Sequence, residues 1–250
     1  MAPREPRPLG VLAATWAIFR KDVRIEARTR EVVATAGVFA IVVAVLASMT
    51  YFVDPKYNRP TAAGTIWIAI FFASVLSFGR IWQREREESA LTGLLVSPIP
   101  RVAIFLGKAL ATFGTILVLE VPLVLLVMFL FAIDFSAPEH AMMDPRAAHD
   151  PASVHALAFI GLLVLGTAAL SLVGTLFGTL TIRTRARDLI VAIVIFPLLS
   201  PVLLCGATGT RRAFETHPFD DYSGFLGLMG LAVFVGLMLG VALFGLLVDE

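Results

Sequence analysis

The chain has 250 residues, 58% of them hydrophobic and only 16% charged, with a formal net charge of +1. Soluble domains average about 45–50% apolar and about 25% charged. These values, with a mean hydropathy of +0.87, exclude an ordinary soluble domain, leave nothing in the net charge that calls for nucleic acid, and indicate an integral membrane protein. The single cysteine, Cys205, rules out an intrachain disulfide framework or a CxxC redox pair. It reads as an inert apolar residue near a helix end.

Residues 1–8 (MAPREPRP) are rich in Pro and Arg and read as disordered. Leu9 to Phe19 is an apolar run between Arg7 and Arg20, too short to span a bilayer. It leads into Arg20-Lys-Asp-Val-Arg-Ile-Glu-Ala-Arg-Thr-Arg30 with no cleavage site before the next apolar stretch, so a secretory signal is rejected. An amphipathic helix on the membrane surface fits better, with Trp16 as interfacial anchor and Arg20, Lys21 and Arg24 near the headgroups.

Six apolar runs are long enough to cross a hydrocarbon core of about 30 Å: 32–53, 61–79, 104–133, 154–182, 189–207 and 224–248. The expected fold is therefore all-α. It is a polytopic protein of six transmembrane helices forming one permease domain over 32–248, preceded by a cytoplasmic and interfacial segment over 1–31. Fifteen of the twenty Lys and Arg residues fall before the first span, in the 80–108 link, or at Arg183, Arg185 and Arg187. The positive-inside rule then places both termini and the 80–103 link in the cytoplasm. The outer loops are expected at 54–60, 134–153 and 208–223.

The link between spans two and three is the most informative stretch. Gln83 to Glu88 are all charged or amide-bearing, and Leu91, Leu94 and Leu95 follow at i, i+3 and i+4. That spacing puts three leucines on one helical face. Pro98 and Pro100 end the helix. A short helix of this kind, over about 80–100, suits reception of a push from a soluble partner. Arg84, Glu85, Glu87 and Glu88 form its charged rim and the leucines its apolar knob.

Within the spans, Glu120 falls near the middle of the third, where a charged carboxylate costs about 2.5–3.5 kcal/mol on insertion scales. It reads either as a substrate- or proton-path residue or as a carboxyl that bonds a neighbouring helix and pins packing. Pro197 and Pro201 predict a kink or broken segment in span five. Gly174-x-x-x-Gly178 and Gly236-x-x-x-Gly240 allow close helix contact, expected within the subunit rather than between subunits.

Gly107-Lys108 is followed by Ala109, so it is no P-loop. The sequence has no HExxH, no GxSxG and no clustered His/Cys set. The histidines His140, His149, His155 and His217 lie in or beside the expected outer loops with no ligand spacing between them. No metal site and no catalysis by this chain are expected.

The segment REREESALTGLLVSPIPRVAIFLGK, from Arg84 to Lys108, resembles the signature of ABC-2-type exporter permeases: a Glu-rich charged helix, a Leu-Leu pair, Ser-Pro, and a Gly-Lys opening span three. Residues 16–248 as a whole resemble the haem exporter protein B family, CcmB. Three further stretches carry this narrower likeness: Lys21 to Glu31, Arg183-Thr-Arg-Ala-Arg187, and Phe196-Pro-Leu-Leu-Ser-Pro201. Ser89 and Thr92 depart from that family's usual Gly and Glu.

The resemblance implies the permease subunit of an ABC complex of cytochrome c maturation in a bacterial inner membrane. Its partners would be a second copy of itself, a separate CcmA-like ATPase that holds the ATP, CcmC- and CcmD-like haem-handling subunits, and a CcmE-like haem chaperone. Haem is then cargo rather than a resident cofactor. The chain either moves haem or transmits ATP-driven motion that frees the loaded chaperone. The alternatives are an ABC-2 permease for a drug, lipid or glycan and, ranked lower, an ATP-independent secondary transporter. That last class calls for several intramembrane ionisable residues and often an internal repeat.

Overall fold

The computed structural model describes residues 10–50, 57–87, 99–135, 150–183 and 195–249. Among them seven helices run in chain order: α1 (Val11–Thr29), α2 (Glu31–Thr50), α3 (Asn58–Glu87), α4 (Arg101–Leu130), α5 (Ala152–Arg183), α6 (Phe196–Phe214) and α7 (Phe219–Asp249). The all-α expectation holds. Five of these helices, α2, α3, α4, α5 and α7, are long and apolar enough to cross a membrane, so the chain is a multi-pass membrane protein. The fifth expected run is only partly described. Its residues from 196 onward form α6, which continues past Ala207 to Phe214 and carries Arg211 and Arg212 in its last turn.

The bundle is built around α3, α4 and α5, which pack against one another and against most of the remaining helices. In lipid the outer surface needs no polar cover, and α2 shows the consequence. Its inward residues are Val32, Ala36, Ala40 and Ala44, one per turn, while Val38, Leu46 and Met49 face outward. Small side chains let its backbone approach α3 closely, which is how membrane helices gain packing without a hydrophobic drive. At the centre the fully buried Trp67 lies over Gly166 and Gly206, and its indole N–H donates to Thr210 Oγ1 at 2.9 Å. Ser74, Ser77, Thr112 and Thr115 are also buried, and each hydroxyl donates to the carbonyl four residues back.

The helix ends explain where the expected boundaries move. At the end of α4, Ala132 takes a φ of 49°. Ile133 N–H bonds Met128 O and Ala132 N–H bonds Phe129 O, the paired bonds of a Schellman cap. The same pair closes α6: Thr216 has φ 54°, His217 N–H bonds Arg212 O and Thr216 N–H bonds Ala213 O. Pro218 comes next, and then α7 begins. The outer loop expected over 208–223 is thus a turn over 215–218, because α6 and α7 extend into it. Asp150 Oδ2 accepts the N–H of Phe219 at 2.8 Å, satisfying one free donor of α7's first turn. Cys205 sits in the middle of α6 and half-buried, not near its end. Pro197 occupies the first turn of α6, where its missing N–H costs nothing, and the helix runs on through Pro201.

Both GxxxG motifs pack within the subunit. A Cβ on Gly174 would strike the Phe78 ring, and one on Gly240 would strike Phe105. Phe105 in turn stacks on Phe244 with ring centres 5.6 Å apart.

Candidate functional site

The expected partner-binding link divides at the edge of the described chain. Residues 80–87 continue α3 without a break, so Arg84, Glu85 and Glu87 belong to the end of that 30-residue helix; their side chains lie outside the described part. Glu88, Leu91, Leu94 and Leu95 lie outside the described residues altogether. Pro100 precedes α4 as its N-cap residue.

Directly after the link, the start of α4 forms a joint with α1. The buried face of α1 is Ala14, Thr15 and Ile18. Gly107 receives it: a Cβ there would fall 2.7 Å from Ile18 Cβ and 3.0 Å from Thr15 O. The helices can lie this close only because position 107 has no side chain. One turn along α1, Asp22 reaches Lys108, with Oδ2 2.8 Å from Nζ. Lys108 is only 2% exposed and Asp22 15%. An ammonium in an apolar helix needs such a partner. Lys21 also approaches Asp22, at 3.1 Å. The Gly-Lys that opens span three thus receives Ile18 and Asp22 of α1.

The far end of α1 is fixed to α2 by Glu26. Its backbone oxygen accepts the N–H of Arg30 at 2.7 Å, where Arg30 takes a left-handed φ of 54°. Its Oε1 accepts the N–H groups of Val32 and Val33 at 3.0 and 3.1 Å. Those are orphan donors of the α2 start, and a carboxylate there also suits the helix dipole. The corner is therefore stitched on both sides of a backbone strained by about 1–2 kcal/mol. The opposite side of α1 presents Leu12, Trp16 and Val23, with Arg20, Arg24 and Arg28 also on the outer surface. Trp16 stacks on Phe19 at 5.0 Å. An apolar, Trp-bearing stripe flanked by basic residues is the pattern of a helix lying in a headgroup layer.

Glu120 is placed in the middle of α4, 2% exposed. Its Oε2 accepts a hydrogen bond from Thr167 Oγ1 of α5 at 2.6 Å, the contact expected of a carboxyl that pins two helices. Of the histidines, His155 is buried with Nδ1 2.7 Å from Tyr222 Oη, tying α5 to α7. His217 stands 3.3 Å from Glu215. His140 and His149 lie outside the described residues.

For Glu120 a bond to a neighbouring helix was expected, and only the identity of its partner, Thr167, was not. Two pairings escaped sequence reasoning: Asp22–Lys108 and the Glu26 cap. Only the first left a signal, a lysine inside an apolar run. Read as a loop charge, Lys108 raised no question of a partner.

The family described as CcmB protein matches residues 13–248. Three proteins named Heme exporter protein B are similar over most of their length. That of Rhodobacter capsulatus is 29% identical over 80% of this chain and 83% of its own. That of Paracoccus denitrificans is 28% identical over 78% and 82%. That of Escherichia coli K12 is 27% identical over 86% and 89%. The family match takes in the α1–α4 joint, the charged link and every described helix but the first two residues of α1 and the last of α7, and on that ground the chain belongs to the CcmB family.

Proposed function

We propose that this chain is the transmembrane permease subunit of an ATP-driven complex for cytochrome c maturation. It acts in haem export or in release of a haem-loaded chaperone, with ATP hydrolysed by a separate subunit. The names of its relatives support the haem assignment. The observation that carries the coupling half is the α1–α4 joint. A buried ion pair at 2.8 Å and a contact only Gly107 permits tie a surface helix to a long membrane helix, directly after the charged link. A push received between Arg84 and Leu95 acts on the start of α4, and α1 is held to that same turn.

The reading includes six spans, both termini in the cytoplasm of a bacterial inner membrane, and a second copy of the chain. Fifteen basic residues on one side support that orientation. CcmC-, CcmD- and CcmE-like partners follow from the family.

Co-expression with the CcmA-like ATPase of the same organism tests it. Purification in detergent should give the two chains in equal numbers without haem absorbance. Haem retained by that two-component complex would favour direct translocation and implicate His140, His149, His155 or His217. No bound ATPase would refute the coupled reading and return the secondary-transporter alternative.

A further inference from the structure

Both acids of α1 are used by the fold itself. Asp22 meets Lys108 of α4 at 2.8 Å, and Glu26 caps the start of α2 through Val32 and Val33. Three bases of α1 do the opposite. Arg20, Arg24 and Arg28 are exposed, and among the described residues none of them has a carboxylate partner. At 3.6 residues per turn they form one row, each about 6 Å further along and about 40° round from the last. Packing has thus sorted the charge of this helix: its acids face other helices, and its exposed charges are all positive.

The contacts of α1 also fix its depth. Helix α4 has 30 residues, a length of about 45 Å, enough for the hydrocarbon core and both headgroup layers of a bilayer about 40–45 Å thick. α1 touches it near its start: Thr15 Oγ1 lies 3.5 Å from Ala103 O, and Ile18 sits on Gly107. Those contacts fall within about 10 Å of the start of α4. The other end of α1 is bonded to the first turn of α2. The 20 residues of α2, about 30 Å, match the hydrocarbon core alone. Both ends of α1 are therefore held where core gives way to headgroups. Beside the arginine row, Leu12, Trp16 and Val23 form an exposed apolar stripe, which such a helix buries at the acyl boundary.

We propose that the outer face of α1 recruits acidic phospholipids, with Arg20, Arg24 and Arg28 binding their phosphates. A guanidinium pairs with a phosphate through parallel N–H bonds. A zwitterionic headgroup brings its own ammonium and leaves the charge of the row uncancelled. An acidic headgroup brings the net negative charge that cancels it. An acidic protein surface would serve the arginines but leave the apolar stripe in water; a lipid serves both at once. The lipid is then held by the same helix that Gly107 and Lys108 tie to α4. The inference rests on the charge and depth of α1 and stands whether or not an ATPase binds the charged link.

The test is photo-crosslinking of the full chain in native membranes. A benzophenone amino acid is placed at Ala17, exposed one turn before the row, and as reference at Phe234, exposed in the middle of α7. Mass spectrometry of the adducts reads the ratio of acidic to zwitterionic lipid. That ratio should be at least about fivefold higher at Ala17 than at Phe234, the scale of one basic residue at an anionic surface. Arg20→Gln, Arg24→Gln and Arg28→Gln together should bring it down to the Phe234 value, while Lys at all three positions should keep most of it. Arg211→Gln, which removes an exposed base of α6, should leave it unchanged. Equal ratios at Ala17 and Phe234 in the parent chain would overturn the proposal, and that comparison needs no variant to fold. So would adducts of Ala17 to protein in place of lipid, a ratio indifferent to the three Arg→Gln changes, or an equal loss on Arg211→Gln.

Discussion

Replacing Asp22 by Leu takes away a carboxylate that stands 2.8 Å from the Lys108 ammonium. At an effective dielectric constant of about 20, two unit charges at that distance attract by about 6 kcal/mol. Removing the two from water costs several kcal/mol per ion, so the pair's net worth lies near zero. Loss of one member is different, because it leaves the other buried; breaking such pairs costs about 3–5 kcal/mol. The two single variants should not be equal: Lys108 at 2% exposed is more deeply buried than Asp22 at 15%, so taking the carboxylate from the lysine should cost more than taking the lysine from the carboxylate. The double variant should lie within about 1 kcal/mol of the parent, since it replaces the pair with apolar groups. Denaturant unfolding of the purified full chain in one detergent, run as a double-mutant cycle, measures this. Single costs below about 0.5 kcal/mol, or a double cost equal to the sum, would refute the buried-pair reasoning and with it the rigid α1–α4 joint.

Three other changes probe the remaining elements. Leu94→Arg should abolish association with the ATPase while the chain stays inserted; undiminished complex in a pull-down would defeat the coupling role of the link. Glu120→Gln keeps an acceptor for Thr167 and should lower unfolding stability by only about 1 kcal/mol. Glu120→Lys should cost about 2.5–3.5 kcal/mol, and equal damage from both would show that the carboxylate's own chemistry matters more than its packing. Gly240→Ala drives a methyl into the Phe105 ring and should cost about 1–3 kcal/mol, with Phe105→Leu restoring stability in the double variant. Loss of self-association at unchanged stability would instead assign that glycine to an interface between copies.

Hydropathy and charge are read locally along the chain, and lipid acts on them as a uniform solvent. The apolar runs, the amphipathic pattern of α1 and the charge asymmetry of the links were therefore legible in residue order, and so was the family likeness in its motifs. Helix ends were less so. Ala132 and Thr216 adopt the left-handed cap without the glycine that usually marks it, which hid the true length of α6. Glu120 was legible as a carboxyl that bonds a neighbouring helix, but the partners within the bundle were not, because they are distant residues: Trp67 bonds Thr210 across 143 positions and Glu120 bonds Thr167 across 47. Sequence by itself determined that this protein crosses a membrane and which of its ends carries the positive charge. Only the tertiary packing decided that Lys108 meets Asp22 and that Glu120 meets Thr167, because each depends on which helix faces come together in three dimensions.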